Sequence, residues 1–549
     1  MKRILISLTI LSALSVQAQK FDWLTTLSAT ETTKSQTNIQ YAAFYADSSA
    51  LVFGNYGSLY ADDYGVLGGQ QYKGAEYGGT SNGYNKNFIL AKLDKNGEVL
   101  WAIHSEDGDV SDSQSAVTLT SDGGAVLALK FRHSEHNKQD GVSSPIYKIV
   151  DATGAGYSRS LEYPGARIYQ PVLLRVDKDG KIATIKDMWC SSEKAAKGTG
   201  STTDAFSWSA ATEDVNGHIY IAGSQSLNMA LGEDTLYARA QPDWDGTTTN
   251  GRYNGFVIKL DSDLKYISHI ASDGTILTDK ANCMVYRDNT LYLTGLAKAE
   301  DHATLKIDDK QVDIKELCVI NVCLTTDLTA RWLSAMPIIR YNERQGNNLY
   351  QTALSEDGTR LYTTGCMQGA IVFNNDTIHS GGTQLSTMND GYIYAFSTTD
   401  GSLQKASVIG DKTLNINQGI VEYGDSLYVY NYLFGNIRQI IYNRELTQLG
   451  VHSLATGGGM STVVYATSLN GQVLLALRAK GGQDFTVLKQ TLNVPGLWYN
   501  TLVSFHLSEG ITNIANVQQS KNESLKILRN GQMVIIKNNK EFSILGQKL

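Results

Sequence analysis

Proline and cysteine are both scarce in this 549-residue chain, with 6 and 5 copies, and charged side chains make up only 18%. Few prolines leave nearly every backbone N–H able to join a hydrogen-bond ladder. The cysteines, Cys190, Cys283, Cys318, Cys323 and Cys366, are odd in number and form no CxxC pair, which fits neither a zinc site nor a disulfide framework. All but Cys190 lie in or beside apolar strand patterns, where a thiol packs as a small hydrophobe. GxSxG, HExxH, the P-loop and the Rossmann glycine fingerprint are missing too, so the common nucleophile, zinc and nucleotide signatures all fail. The sequence therefore calls for no cofactor and no metal. Acidic residues outnumber basic ones by 54 to 47, an unsuitable balance for binding nucleic acid.

Long hydrophobic runs are lacking as well. The apolar stretch Ile4 to Val16 follows Met1-Lys2-Arg3 and leads into Val16-Gln17-Ala18. It is well short of the roughly 20 residues that span a bilayer. Its charged start, apolar centre and small residues before a cleavage point read as a signal peptide over residues 1–18. No transmembrane span follows, and no cysteine stands where a lipid anchor would attach. Losing Lys2 and Arg3 leaves 45 basic against 54 acidic side chains, a charge near −9. The expected product is exported.

What is abundant is glycine, at 51, and tyrosine, at 30, a balance that suits many short strands joined by tight turns. A four-part unit recurs. It opens with a short alternating strand and a turn, as in Ser115-Ala116-Val117-Thr118-Leu119 and Ser121-Asp122-Gly123-Gly124. A second strand often ends in glycine, as in His218-Ile219-Tyr220-Ile221-Ala222-Gly223 and Leu361-Tyr362-Thr363-Thr364-Gly365. A third runs into an Asp turn, as in Phe88 to Gly97, Val172 to Gly180 and Phe256 to Asp261, and a fourth follows at once, as in Val99-Leu100-Trp101-Ala102-Ile103. Four such strands form a propeller blade, and radial repetition protects its edges. First strands fall near Gln40, Val117, Ser209, Met284, Thr352, Gly419 and Val464, seven in all. Phe21 to Leu27 matches a fourth strand with no third before it, and Leu502 to Leu507 is a third strand with no fourth after it. The fold expected is thus all-β: a seven-bladed β-propeller over 19–510, closed by its N- and C-terminal strands.

The stretch F-I-L-A-K-L-D-K-N-G-E-V-L-W-A at 88–102 resembles the bacterial β-propeller repeat family with its F-v-a-K-l-d-x-x-G core, over most of residues 21–508. The resemblance implies a fold and, because hosts of that repeat differ widely, no chemistry. Beyond Gly510 come a polar linker, 511–522, and a tail, 523–549, whose Asn530-Gly531 and Asn538-Asn539 turns predict a small three-stranded β-meander. The run L-R-N-G-Q-M-V-I-I-K-N-N-K-E-F-S-I-L-G-Q is similar to the ends of many secreted Bacteroidetes proteins and resembles an abbreviated type IX secretion sorting domain, about half the usual length. In that family the tail is an export signal read at the outer membrane. The resemblance implies passage across the inner membrane to the periplasm, the outer-membrane surface or the exterior, and secretion machinery as a partner. It also makes the Asp-Ser/Thr-aliphatic triplets at Thr235, Thr377 and Ser426 candidate O-glycan acceptors.

Blades average far more than the roughly 40 to 50 residues of compact repeats. The surplus lies between second and third strands, at about 55–87, 131–170, 224–254, 296–316 and 366–390. These connections leave one face of an up-and-down ring, so that face is expected to bind. The insertions are rich in tyrosine and glycine, and Tyr72, Tyr77, Tyr84, Tyr163, Trp244 and Tyr253 are the candidate contacts. Flat amphipathic rings on such loops suit a glycan, a peptide or a protein surface.

Metal-like patterns have simpler readings. His133 and His136 would need a converging third ligand. Asp177-Lys178-Asp179-Gly180 starts like a calcium loop but places Met188 where Glu is required, so it reads as a hairpin turn. The acidic stretch Glu106 to Asp112 reads as a solvated loop. The function expected is a secreted or surface-exposed binding module; the alternative is a hydrolase or lyase with paired carboxylates in the central funnel, chemistry that leaves no linear motif.

Overall fold

The computed structural model describes residues 19–29, 36–58, 64–73, 85–110, 115–132, 146–160, 170–191, 206–225, 228–231, 234–237, 254–274, 283–298, 304–340, 348–374, 376–382, 389–409, 415–457, 462–480, 484–493, 498–507, 524–529, 532–537 and 540–543. The proposed signal peptide and the linker lie outside them. Nearly all of the described chain is antiparallel β structure, and it forms a seven-bladed β-propeller.

Each blade follows the four-part unit. Blade 1 is Gln36–Phe44, Ala50–Ser58, Asn85–Leu93 and Val99–Asp107; blade 2 is Ala116–Leu119, Ala125–Arg132, Gln170–Val176 and Ile182–Asp187. Blade 3 is Phe206–Glu213, Ile219–Gln225, Asn254–Leu260 and Tyr266–Ala271; blade 4 is Met284–Arg287, Thr290–Lys298, Leu317–Thr325 and Ala330–Arg340. Blade 5 is Asn348–Leu354, Arg360–Met367, Asp390–Ser397 and Leu403–Val408; blade 6 is Asn415–Tyr423, Ser426–Leu433, Asn436–Asn443 and Gln448–Gly457. Blade 7 takes Thr462–Leu469, Gln472–Lys480 and Trp498–His506 from the C-terminal side and Lys20–Ala29 from the N-terminal side. Leu24 pairs with Val503 and Thr25 with Leu502, so the chain ends share one sheet. The His506 ring nitrogen Nδ1 lies 2.8 Å from a carboxylate oxygen of Asp22 across the same seam.

The turns between third and fourth strands show why the repeat folds. Asp94 Oδ1 accepts from the N–H groups of Asn96 at 2.8 Å and Glu98 at 2.9 Å, fixing the reversal, and Gly97 takes the φ of 82° that the turn needs. Asp177 and Asp261 do the same. In three blades a leucine replaces the glycine: Leu264, Leu328 and Leu446 have φ of 58–60° and are at most 6% exposed. Burial of an isobutyl group, roughly 2 kcal/mol, outweighs the roughly 1–2 kcal/mol cost of a left-handed backbone.

Seven apolar clusters fill the seven gaps between neighbouring blades. Among the described residues the gap between blades 5 and 6 holds the smallest, nine buried side chains around Tyr362, Ile393 and Leu427, where the others hold 14 to 18.

The described parts of the insertions correct the expectation that they crown one face. Each contains a short hairpin that lies on the outer rim and adds to the preceding blade. The hairpin Tyr64–Leu67/Gln70–Lys73 from blade 1 pairs with Lys20–Ala29 of blade 7. Ile146–Val150/Gly156–Ser160 from blade 2 pairs with the fourth strand of blade 1. Asn228–Leu231/Asp234–Leu236 from blade 3 pairs with Trp189–Ser191, just after the fourth strand of blade 2. Thr304–Ile307/Lys310–Asp313 from blade 4 meets the end of blade 3 through a bridge between Ser272 and Ile307. Gly369–Phe373/Asp376–His379 from blade 5 pairs with Ala330–Arg340 of blade 4. A sixth, Asp484–Val487/Gln490–Asn493 from blade 7, pairs with Gln448–Gly457 of blade 6. Six hairpins therefore strap six pairs of blades. Blade 6 has none, its second and third strands being joined through Phe434 and Gly435. The C-terminal strands Ser524–Arg529, Gln532–Lys537 and Lys540–Ser543 form the expected meander as a separate sheet.

Candidate functional site

First strands line the axis of a propeller, where carboxylates would gather in an enzyme of this shape. In blade 5, Gln351 is 7% exposed and reaches across two neighbours: its Nε2 donates to Ile420 O at 3.1 Å and Ala466 O at 2.9 Å, and its Oε1 accepts from Ile420 N at 3.1 Å. One amide thus ties the first strands of blades 5, 6 and 7. Gly419 permits the approach, since a Cβ there would lie 2.7 Å from the Cβ of Ala466. Gln418 Oε1 accepts from Val463 N at 2.9 Å, again joining blades 6 and 7. Tyr41 of blade 1 packs edge-on against Tyr465 of blade 7, centroids 5.2 Å apart, and burial holds both phenols well above their usual pKa.

Two first strands carry a carboxylate near their far ends, and both are used in joining blades. Glu213 of blade 3 accepts from Ser121 N of blade 2 at 2.5 Å. Glu422 of blade 6, 8% exposed, accepts from Glu356 N of blade 5 and from Arg444 Nε at 2.9 Å. Burial raises the Glu422 pKa, opposed by those bonds. Around it an ion network compensates for the small apolar gap. Arg444 also reaches Asp357 at 3.0 Å, Arg360 pairs with Glu445 at 3.0 Å, and Lys405 pairs with Glu445 at 2.6 Å. The Thr359 hydroxyl and N–H and the Ser355 hydroxyl hold Asp357 well below the ordinary carboxylate range. On the same interface Asn431 Nδ2 donates to Asn417 Oδ1 at 2.8 Å, and Asn417 Nδ2 to Tyr392 O at 3.1 Å. Among the described residues no group of three or more His, Cys, Asp or Glu is placed to hold a metal.

Of the six candidate contacts, Tyr77, Tyr84, Tyr163, Trp244 and Tyr253 lie outside the described residues, as do His133 and His136. Tyr72 is 8% exposed, stands edge-on to His104 at 5.5 Å and donates to Gln70 Oε1 at 2.9 Å. Burial pushes its phenol up to about 12. It fastens the blade 1 strap and offers a ligand no surface. Glu106 is likewise engaged, by Lys148 from the blade 2 strap. Thr235 and Thr377 sit in straps just after their turns, half-buried and exposed respectively, and Ser426, 9% exposed, starts the second strand of blade 6. The four cysteines read as core are buried.

The segments bearing the other candidates have fixed ends. Residues 74–84 begin where the blade 1 strap ends, at Lys73, whose carbonyl accepts the Tyr56 hydroxyl at 2.7 Å, and end at the third strand of blade 1. Residues 161–169 and 238–253 run likewise from the straps to the third strands of blades 2 and 3. Sequence reasoning missed the straps because each is only two short strands about a tight turn.

No family model matches this sequence, and no curated protein matches it. Solved structures do. The AfRom2 CNH domain is 6% identical, with 88% of this chain and 100% of that chain covered and a TM-score of 0.33. A subtype N10 neuraminidase-like protein from a little yellow-shouldered bat isolate is 7% identical, with 88% and 97% covered and a TM-score of 0.34. A mutant NanB sialidase from Streptococcus pneumoniae is 9% identical, with 87% and 86% covered and a TM-score of 0.28. The class stands on the strand pairing: the chain is a seven-bladed β-propeller closed through its termini.

Proposed function

We propose that the protein is an exported binding module that holds a glycan, peptide or protein partner with the aromatic segments of blades 1–3. The supporting observation is the anchoring of 74–84, 161–169 and 238–253 between a rim strap and a third strand in three consecutive blades. Fixed ends lower the entropy lost when a tyrosine-rich loop grips a ligand. The axis supports this reading over a hydrolase, because Gln351, Glu213 and Glu422 of its first strands are engaged in joining blades. Alanine at Tyr77, Tyr84, Tyr163, Trp244 and Tyr253, tried singly and together on glycan and protein arrays, should abolish a signal given by the parent chain. An unchanged array pattern would dismiss the reading. Residues 1–18 serve in this proposal as the export leader and 523–549 as the outer-membrane sorting tail; fractionating cells with and without 511–549 tests the latter.

A further inference from the structure

The ring has seven outer strands, six of which are met by a strap or lead into one. The exception is Leu403–Val408 of blade 5, because blade 6, which would supply its strap, lacks an insertion. Among the described residues this strand pairs only with Asp390–Ser397. Its side chains are committed elsewhere: Leu403, Ala406 and Val408 pack on the blade 4–5 core, and Lys405 binds Glu445 of blade 6. What it offers outward is its main chain, a row of donors and acceptors that an added strand satisfies.

The same chain carries one hairpin that belongs to no blade. Ser524–Arg529 pairs antiparallel with Gln532–Lys537, as the two strands of each strap pair with one another. Ser524–Arg529 is an edge of its own sheet, so one side of it is open to pairing. We propose that the C-terminal hairpin is the seventh strap, docking Ser524–Arg529 antiparallel on Leu403–Val408 of the same chain and converting blade 5 into a seven-stranded sheet.

The tether is long enough. At about 4.8 Å per strand the outer strands stand about 22 Å from the axis, which puts the end of blade 7's third strand about 40 Å from the far end of Leu403–Val408. The stretch from Leu507 to Ser524 spans up to about 56 Å when extended. Five of the six straps pair antiparallel through their first strand, which sets the orientation here.

Hydrogen exchange on the full exported chain tests this. The amides of 403–408 should be protected in the parent. Ile527→Pro, which removes a donor from the docking strand without touching the ring, should speed their exchange by at least about tenfold while leaving Gln448–Gly457 unchanged. Equal exchange at 403–408 in parent and Ile527→Pro overturns the proposal. Protection that needs Ile527 but disappears on dilution shows that a second copy supplies the hairpin, and overturns the same-chain assignment.

Discussion

Gln351→Leu is the sharpest probe of the closed axis. Leucine nearly matches the volume but makes none of the three hydrogen bonds to Ile420 and Ala466. At a net value of about 1 kcal/mol per bond, with a further cost of about 1 kcal/mol for a buried Ile420 N–H left without a partner and a similar gain from the apolar side chain, the variant should lose about 3 kcal/mol. Urea unfolding followed by tryptophan fluorescence reads the loss. Gln404→Leu, on an exposed position of blade 5 whose amide donates to Ser402 Oγ at 2.7 Å, is the control and should stay within about 0.5 kcal/mol. Gln351→Glu adds a test of sign. It keeps the acceptor for Ile420 N–H but turns a carboxylate toward two carbonyl oxygens, so burial raises its folded pKa above the unfolded one. Such a group disfavours folding above the unfolded pKa, and the variant should recover stability as pH falls through the folded value. If Gln351→Leu lies within about 1 kcal/mol of the parent, the amide is not what joins the three first strands.

Arg444→Ala leaves the buried Glu422 carboxylate without its cation and should cost about 3 kcal/mol at neutral pH, less in acid as Glu422 protonates, with exchange quickened first along blades 5 and 6. His104 has its pKa lowered chiefly by burial, so the unfolded chain binds the proton more readily and stability falls below about pH 6.5; His104→Gln should flatten that slope in denaturant titrations between about pH 5 and 6.5. Gly97→Ala places a Cβ at φ 82° and 2.5 Å from Trp23 Cε3, and should cost about 3 kcal/mol by calorimetry; a loss under about 1 kcal/mol would mean that Trp23 moves freely at the closure.

Much of the ring is legible in the order of residues along the chain. The period-2 alternation, the Asp turns and the unmatched third and fourth strands at the two ends specify seven blades and their closure, and each position read as a first strand falls in one. The Asp177 turn is likewise legible as a hairpin, since one carboxylate serving two N–H groups explains the motif without calcium. The candidate site is less so. Tyr72 looks like its tyrosine neighbours in a glycine-rich stretch, and nothing local distinguishes a ring that fastens a strap from one that meets a ligand.

The sequence by itself determined blade count, blade order and ring closure, because these follow from local periodicity and turn chemistry, which neighbouring residues encode. Only the tertiary structure decided where the insertions go, that Gln351 spans three blades, and that blades 5 and 6 are held by ions and asparagines where the other pairs have larger apolar cores and straps. Those outcomes depend on partners tens to hundreds of residues away, and pairing at that distance is set by which edge is left open once the ring has closed.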